Sequence, residues 1–194
     1  MAVAVLEVNC KNCGAPLAVG DTACKYCKSP VTISTFNSVA DTVVNNFARA
    51  YQRNLSVNPT DVSANRAIAC CYLKLKMYDR ALEFFDKAIM DNFDDSEVYF
   101  YAAICCLKGK RPYFAVRPDI NKIEEYLNAA TMIEPKGIYY YFWAYIKLDY
   151  YKKKFLNTTP DYASMLKKAA ASGVSVYDKN QLFQILNVEK PSMF

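Results

Sequence analysis

The sequence predicts a mainly α-helical protein in which helix pairs stack in series behind a small N-terminal β module. Apolar residues recur with a period of 3.6 in two successive segments of residues 62–95. Only five Gly and eight Pro occur in 194 residues, which is too few for a β fold full of tight turns. Two Cys-x-x-Cys pairs set residues 1–34 apart from the helical remainder, which we place at residues 39–188.

The N-terminal module carries cysteines with the spacing of a metal site. Cys10 and Cys13 are followed, after ten residues, by Cys24 and Cys27. Each pair can wrap a backbone turn around one ion, and four thiolates supply the tetrahedral ligands that structural Zn²⁺ prefers. The alternative is two disulfides, which a cytoplasmic chain disfavours. The spacing therefore predicts a zinc site.

The stretch CKNCGAPLAVGDTACKYC resembles the short zinc ribbon found at the N-terminus of many bacterial proteins. It departs from that pattern at Lys28, where a second glycine is usual. We expect Val31–Ile33 to form the closing strand of the ribbon. A structural or docking role is favoured over nucleic-acid contact, because basic residues in the ribbon are few.

The two helices predicted within residues 62–95 are joined by a short turn at Lys76-Met77 and must run antiparallel. Their apolar faces carry Ala64, Ile68, Cys71, Tyr72 and Leu75, then Tyr78, Ala81, Leu82, Phe85, Ala88 and Ile89. This unit of about 34 residues, with YDRALEFFDKAI as its second half, resembles the tetratricopeptide repeat. The resemblance implies an α-solenoid of about three helix pairs and a binding scaffold. It does not identify the partner.

The remaining segments follow the same scheme with departures. Residues 39–57 predict a helix that we interpret as half a repeat covering the N-terminal end of the stack. The second pair opens at Ser96, and a long loop over Gly109–Asp119 interrupts it because its prolines disfavour helix. The second helix is expected to resume near Asn121, with Glu124 completing a capping box.

A third pair is predicted from the aromatic stretch Gly137–Tyr151 and from a helix over Tyr162–Ala171, with Thr159 as N-cap and Pro160 at the first position as its start signal. Gly173 is expected to end that helix. A last short helix around residues 182–186 is expected to cover the exposed end of the stack.

The composition argues against an enzyme. The sequence has no His, the commonest general base, and no glycine-rich phosphate loop. The adjacent pairs Cys70-Cys71 and Cys105-Cys106 favour core packing over a redox role. The N-terminus lacks the features of a signal peptide, and no apolar run approaches the length of a membrane helix, so we expect a cytoplasmic protein.

The tetratricopeptide resemblance implies that the first helix of each pair lines a concave groove that binds a protein or peptide. The mixture of cations and aromatic residues suits an extended or helical peptide, including an acidic one. The alternative is that much of this set is core between repeats. The predicted groove residues are Arg66, Lys74, Phe100, Ile104, Lys108, Tyr139 and Phe142.

Charge is unevenly distributed. Residues 79–97 hold seven acids and two bases, whereas residues 136–168 hold seven lysines and two acids. Solvated faces explain this, and so does a homo-oligomer in which acidic and basic ends attract. The stretch from Tyr150 to Phe155 suits a membrane surface or single-stranded nucleic acid. The leading function is a non-catalytic adaptor, and the alternative is a nucleic-acid-associated regulator that uses the ribbon and the lysine-rich face.

Overall fold

A computed structural model describes residues 8–19, 21–36, 39–59 and 61–191, with the side chain of Val62 excepted. The chain divides into two compact units, Met1–Asn92 and Phe93–Phe194. The predicted start of the ribbon at residues 1–7 lies outside the described residues. No described helix is both long and apolar enough to cross a lipid bilayer.

Unit 1 begins with the ribbon. Strands β1 (Val8–Asn9) and β2 (Pro16–Leu17) pair antiparallel, with Val8 opposite Leu17. A single bridge joins Ala23 to Pro30. The predicted closing strand at Val31–Ile33 is wrong, because the chain turns there into a 3₁₀ helix over Ile33–Phe36. The Thr35 hydroxyl accepts a hydrogen bond from the Thr32 N–H at 3.1 Å and favours this local turn over strand pairing.

Three helices complete unit 1: α1 (Asp41–Val57), α2 (Val62–Lys74) and α3 (Tyr78–Asp91). The carboxylate of Asp61 caps α2 by accepting a hydrogen bond from the Ala64 N–H. Lys76 takes a left-handed conformation (φ 58°) that reverses the chain between α2 and α3. Helix α2 packs against both α1 and α3, which buries the apolar face predicted from the sequence.

Unit 2 contains α4 (Ser96–Cys106), α5 (Arg117–Ile133), α6 (Gly137–Ile146), α7 (Tyr162–Ala171) and α8 (Val176–Leu186). Helix α4 packs against α5, and α6 packs against α7, as two helical hairpins. Helix α6 continues into a π-helical turn over Lys147–Tyr151 and a 3₁₀ turn over Lys152–Lys154.

One predicted helix start and one predicted helix cap in unit 2 are wrong, although α7 spans the predicted residues Tyr162–Ala171. Helix α5 begins at Arg117 rather than near Asn121, because Pro118 lies in the first turn, where its missing N–H costs nothing. No capping box forms at Asn121, and Glu124 has other partners, as described below. Helix α7 is capped by Asp161, whose carboxylate accepts a hydrogen bond from the Ser164 N–H at 2.9 Å.

Helix α8 differs from the expected cover for the end of the stack. It packs against α6 and α4, the first helices of two consecutive pairs. Its N-terminus has a capping box in which Ser175 and Asp178 exchange hydrogen bonds. Gly173 (φ 74°) provides the left-handed turn after α7 that sends the chain back toward α6.

Candidate functional site

The four ribbon cysteines converge on one point. Their sulfur atoms all lie within 4.8 Å of one another. The Sγ atoms of Cys10 and Cys27 are 3.6 Å apart, and so are those of Cys13 and Cys24. A tetrahedral ion with metal–sulfur bonds of 2.3 Å requires an edge of about 3.8 Å between ligands. The donor set and its spacing therefore fit a four-coordinate metal ion.

Two matching backbone turns hold these sulfurs. The Gly14 N–H donates to the Cys10 carbonyl at 2.8 Å, and the Lys28 N–H donates to the Cys24 carbonyl at 2.9 Å. Both turns end in the left-handed region, with φ of 76° at Gly14 and 60° at Lys28. Lys28, the one departure from the ribbon pattern, thus adopts the glycine conformation despite its side chain.

Hydrogen bonds in the second turn favour the thiolate forms that bind metals. The Ser29 side chain, followed by its N–H, lowers the pKa of Cys27 to about 5. The backbone N–H groups of Cys27 and Tyr26 lower the pKa of Cys24. A cysteine must be deprotonated to ligate a metal, so these donors assist binding at neutral pH.

A hydrogen bond joins the ribbon to helix α1, and an aromatic contact joins the 3₁₀ helix after the ribbon to α1. The hydroxyl of Tyr51 donates to the backbone carbonyl of Asp21 at 2.6 Å, and Tyr51 is fully buried. The rings of Phe36 and Phe47 meet edge to face at 5.6 Å between centroids. Both contacts lie within unit 1, so the ribbon and its first helices share one core.

The structure places the predicted groove residues in two different environments. On α2 of unit 1, Arg66 and Lys74 are partly exposed. In unit 2, Lys108 is exposed just after α4, with a left-handed φ of 50°. The apolar members of unit 2 pack together, with the Phe100 ring 4.8 Å from Tyr139 and 5.9 Å from Phe142. Those four buried members are Phe100, Ile104, Tyr139 and Phe142.

Helix α8 packs beside this aromatic cluster, on other rings of α6. The Phe183 ring meets Tyr145 at 5.1 Å and Tyr141 at 6.4 Å, edge to face in both cases. Beside it, a cavity of about 360 Å³ is lined by Phe100 and Tyr139 on one side and by Leu182 and Ile185 of α8 on the other. Helix α8 therefore lies beside the predicted groove residues Phe100 and Tyr139, with the cavity between them.

The paired cysteines Cys70, Cys71, Cys105 and Cys106 are all buried. Burial raises the pKa of the Cys71 thiol, and the neighbouring Cys70 adds to the effect. A raised pKa disfavours the reactive thiolate, which is consistent with the predicted role in core packing.

A buried ionic network in unit 2 was missed by sequence reasoning. The Glu124 carboxylate pairs with Lys147 at 2.5 Å and accepts hydrogen bonds from Trp143 Nε1 and the Tyr151 hydroxyl. Burial alone would raise the pKa of Glu124, but these three donors lower it overall. The available signal was a lysine and an aspartate inside an otherwise apolar, aromatic helix.

A second cluster of charges in unit 2 centres on Asp149, which is fully buried. Its carboxylate accepts hydrogen bonds from Arg111 and Lys153, both at 2.6 Å, and from the Tyr113 N–H at 3.0 Å. Burial opposes ionisation, but the arginine, the lysine and the N–H lower the pKa of Asp149 overall. Asp149 therefore connects the loop after α4 to the π turn after α6.

Comparison with known proteins identifies the architecture. No protein-family model and no curated protein sequence matches this chain. Among solved structures, "MamA MSR-1 C2" is 14% identical with a TM-score of 0.53, over 72% of this chain and 71% of that one. "MamA AMB-1 P212121" is 17% identical with a TM-score of 0.54, over 75% and 72%. "MamA RS-1 ArsTM double mutant" is 13% identical with a TM-score of 0.51, over 79% and 70%.

MamA is a tetratricopeptide-like protein. The fold of this chain is tetratricopeptide-like. The predicted fold class, a mainly α solenoid of helix pairs with a small N-terminal β module, is confirmed. At these identities the likeness concerns the fold alone.

Proposed function

We propose that this protein is a non-catalytic adaptor whose tetratricopeptide-like hairpins bind a protein or peptide. The observation that carries the proposal is the fold, since helix pairs of this kind present long side-chain surfaces to partners. The absence of His from the sequence supports a binding role over acid–base catalysis. All eight cysteines are free of disulfides and lie in the proposed metal site or in the core of the helices, which supports a cytoplasmic location.

We propose that the ribbon holds one Zn²⁺ ion through Cys10, Cys13, Cys24 and Cys27. The ion would cross-link two short turns and so stabilise a module with little hydrophobic core of its own. Elemental analysis of the purified protein should find one zinc per chain, and Cys24→Ser should abolish it. Cys70→Ala, which alters a buried cysteine of α2, should leave the zinc content unchanged. A metal-free wild-type protein with intact fold would contradict the assignment.

The proposed binding surface differs between the two units. In unit 1, α2 offers Arg66 and Lys74 to an acidic peptide. In unit 2, Phe100 and Tyr139 line a cavity of about 360 Å³ together with Leu182 and Ile185 of α8, so a peptide side chain could enter there and a whole helix would have to displace α8. The exposed Lys108 remains accessible beside that face.

An affinity pull-down from the native host, identified by mass spectrometry, tests the adaptor function. Wild-type protein should retain a partner that Lys74→Glu loses, because the substitution reverses a charge on the proposed surface. Lys167→Glu reverses an exposed lysine on α7 and should retain the partner. If all three proteins retain the same set, or none retains any, the proposed surface is wrong.

A further inference from the structure

Two loops of unit 2 meet to form one exposed surface. One loop links α4 to α5, and the other follows the π turn after α6. The Tyr113 N–H and Arg111 both donate to Asp149, which joins the first loop to the π turn. The Lys154 ammonium lies over the rings of both Tyr150, at 4.0 Å, and Tyr113, at 5.3 Å. We call residues 110–117 and 152–156 the basic–aromatic surface.

Large apolar side chains protrude from this surface. Phe155 is 95% exposed, Phe114 is 67% exposed and Val116 is 60% exposed. Tyr113 and Leu156 are also exposed. Phe155 is held in the left-handed region (φ 56°), a conformation that is costly for a residue with a side chain. A cluster of this kind on a soluble unit marks an interaction site.

The surrounding charge is strongly positive. Residues 109–118 and 147–158 contain seven bases and one acid. That acid is Asp149, which is buried and already paired with Arg111 and Lys153. Lys147 is likewise buried against Glu124. Arg117 lies over the Tyr151 ring and Lys152 over the Tyr162 ring. Lys152 also interacts electrostatically with Asp161, so its charge is partly balanced.

We propose that the basic–aromatic surface docks on an anionic lipid bilayer. The lysines and arginines would lie against acidic headgroups, and Phe155, Phe114 and the aliphatic side chains would enter the headgroup–acyl boundary. Single-stranded nucleic acid is the weaker match, because Val116 and Leu156 offer no ring on which a base can stack. The hydrogen bonds of Asp149 hold both loops in place beneath the exposed apolar side chains. The loops therefore need little additional ordering when the surface binds a bilayer.

Co-sedimentation of the full chain with vesicles tests the proposal. Wild-type protein should sediment with vesicles that contain phosphatidylserine, and this binding should weaken as the salt concentration increases. It should bind poorly to vesicles of phosphatidylcholine alone. Phe155→Ser with Leu156→Ser should weaken binding by about tenfold, because two apolar anchors are lost. Lys152→Gln and Lys154→Gln should each weaken it by about fivefold. These side chains are exposed or partly exposed, and circular dichroism will confirm that the variants fold.

The matched controls lie elsewhere in unit 2. Met132→Ser removes a 78% exposed apolar side chain from α5, and Lys167→Gln removes an exposed charge from α7. Both should bind vesicles as the wild type does. The proposal is overturned if wild-type protein ignores anionic vesicles at low salt, or if Phe155→Ser with Leu156→Ser binds unchanged. It is also overturned if a single-stranded oligonucleotide binds while vesicles do not, which would assign the surface to nucleic acid.

Discussion

Phe183→Ala should release helix α8 from the aromatic face of unit 2. Phe183 is 5% exposed and contacts both Tyr141 and Tyr145, so truncating it removes both of these ring contacts from α8. Core Phe→Ala substitutions cost about 3–5 kcal/mol, and the lower figure suits a helix at the end of the chain. A loss of about 3 kcal/mol corresponds to roughly a hundredfold more frequent opening of α8.

Hydrogen exchange measured by mass spectrometry can detect this release. Amides of residues 176–186 should exchange roughly a hundredfold faster in Phe183→Ala, whereas those of α5 should keep their protection. Tyr177→Ala is the matched control, because this aromatic residue of α8 is 65% exposed and its loss should matter little. Unchanged exchange in α8, or an equal acceleration in α5, would refute the view of α8 as a separable cover.

Four further outcomes are expected. Gly137→Ala should destabilise unit 2 by at least about 1–3 kcal/mol in thermal unfolding, since an added Cβ would meet three backbone atoms at 2.8–3.0 Å; an unchanged melting temperature would contradict this. Tyr51→Phe should cost about 1 kcal/mol and speed metal loss to a chelator, as it removes the donor to the ribbon, and unaltered release would argue against that link. The pKa values of Glu124 and Asp149 are lowered in the folded state, so the stability they contribute is complete above their unfolded-state pKa values and declines below about pH 4. Denaturant titrations across pH should show this decline, and the decline should be smaller in Asp149→Asn. Lys28→Gly should stabilise the ribbon by up to about 1 kcal/mol by relieving a left-handed lysine, and a loss of stability would show that the lysine makes a compensating contact.

The helix pairs and the cysteine cluster could be predicted because their signals are local. The 3.6-residue period of residues 62–95 specifies two amphipathic helices, and a short turn leaves them only an antiparallel arrangement. The spacing of Cys10, Cys13, Cys24 and Cys27 brings four sulfurs together through two local turns. Neither inference needed knowledge of distant contacts.

The covering of the aromatic face could not be predicted, because it depends on where the chain returns. Nothing near Phe183 in the sequence says that α8 packs on α4 and α6 rather than elsewhere. The exposure of Phe100, Tyr139 and Phe142 was inferred from repeat register alone, whereas all three are buried and pack on one another. Their role in partner binding stays a prediction.

The buried ion pairs could not be predicted from the sequence for a similar reason. Lys147 and Glu124 are 23 positions apart, and Asp149 and Arg111 are 38 apart, so only the packed fold shows each pair. The start of α5 was misplaced because proline is tolerated in a first helical turn, as Pro118 shows. The oligomer predicted from acidic and basic ends stays a prediction, which light scattering across a salt series would test.

Because the Tyr51 hydroxyl donates a hydrogen bond to the Asp21 carbonyl, loss of the metal would affect the helices as well as the ribbon. An ion lost from the four sulfurs would loosen the backbone on which that hydroxyl depends, and helix α1 would lose an anchor at its buried face. In a cell, such a chain would spend more time partly unfolded and become a substrate for proteases. Its abundance should therefore follow the availability of the metal even if no partner ever touches the ribbon.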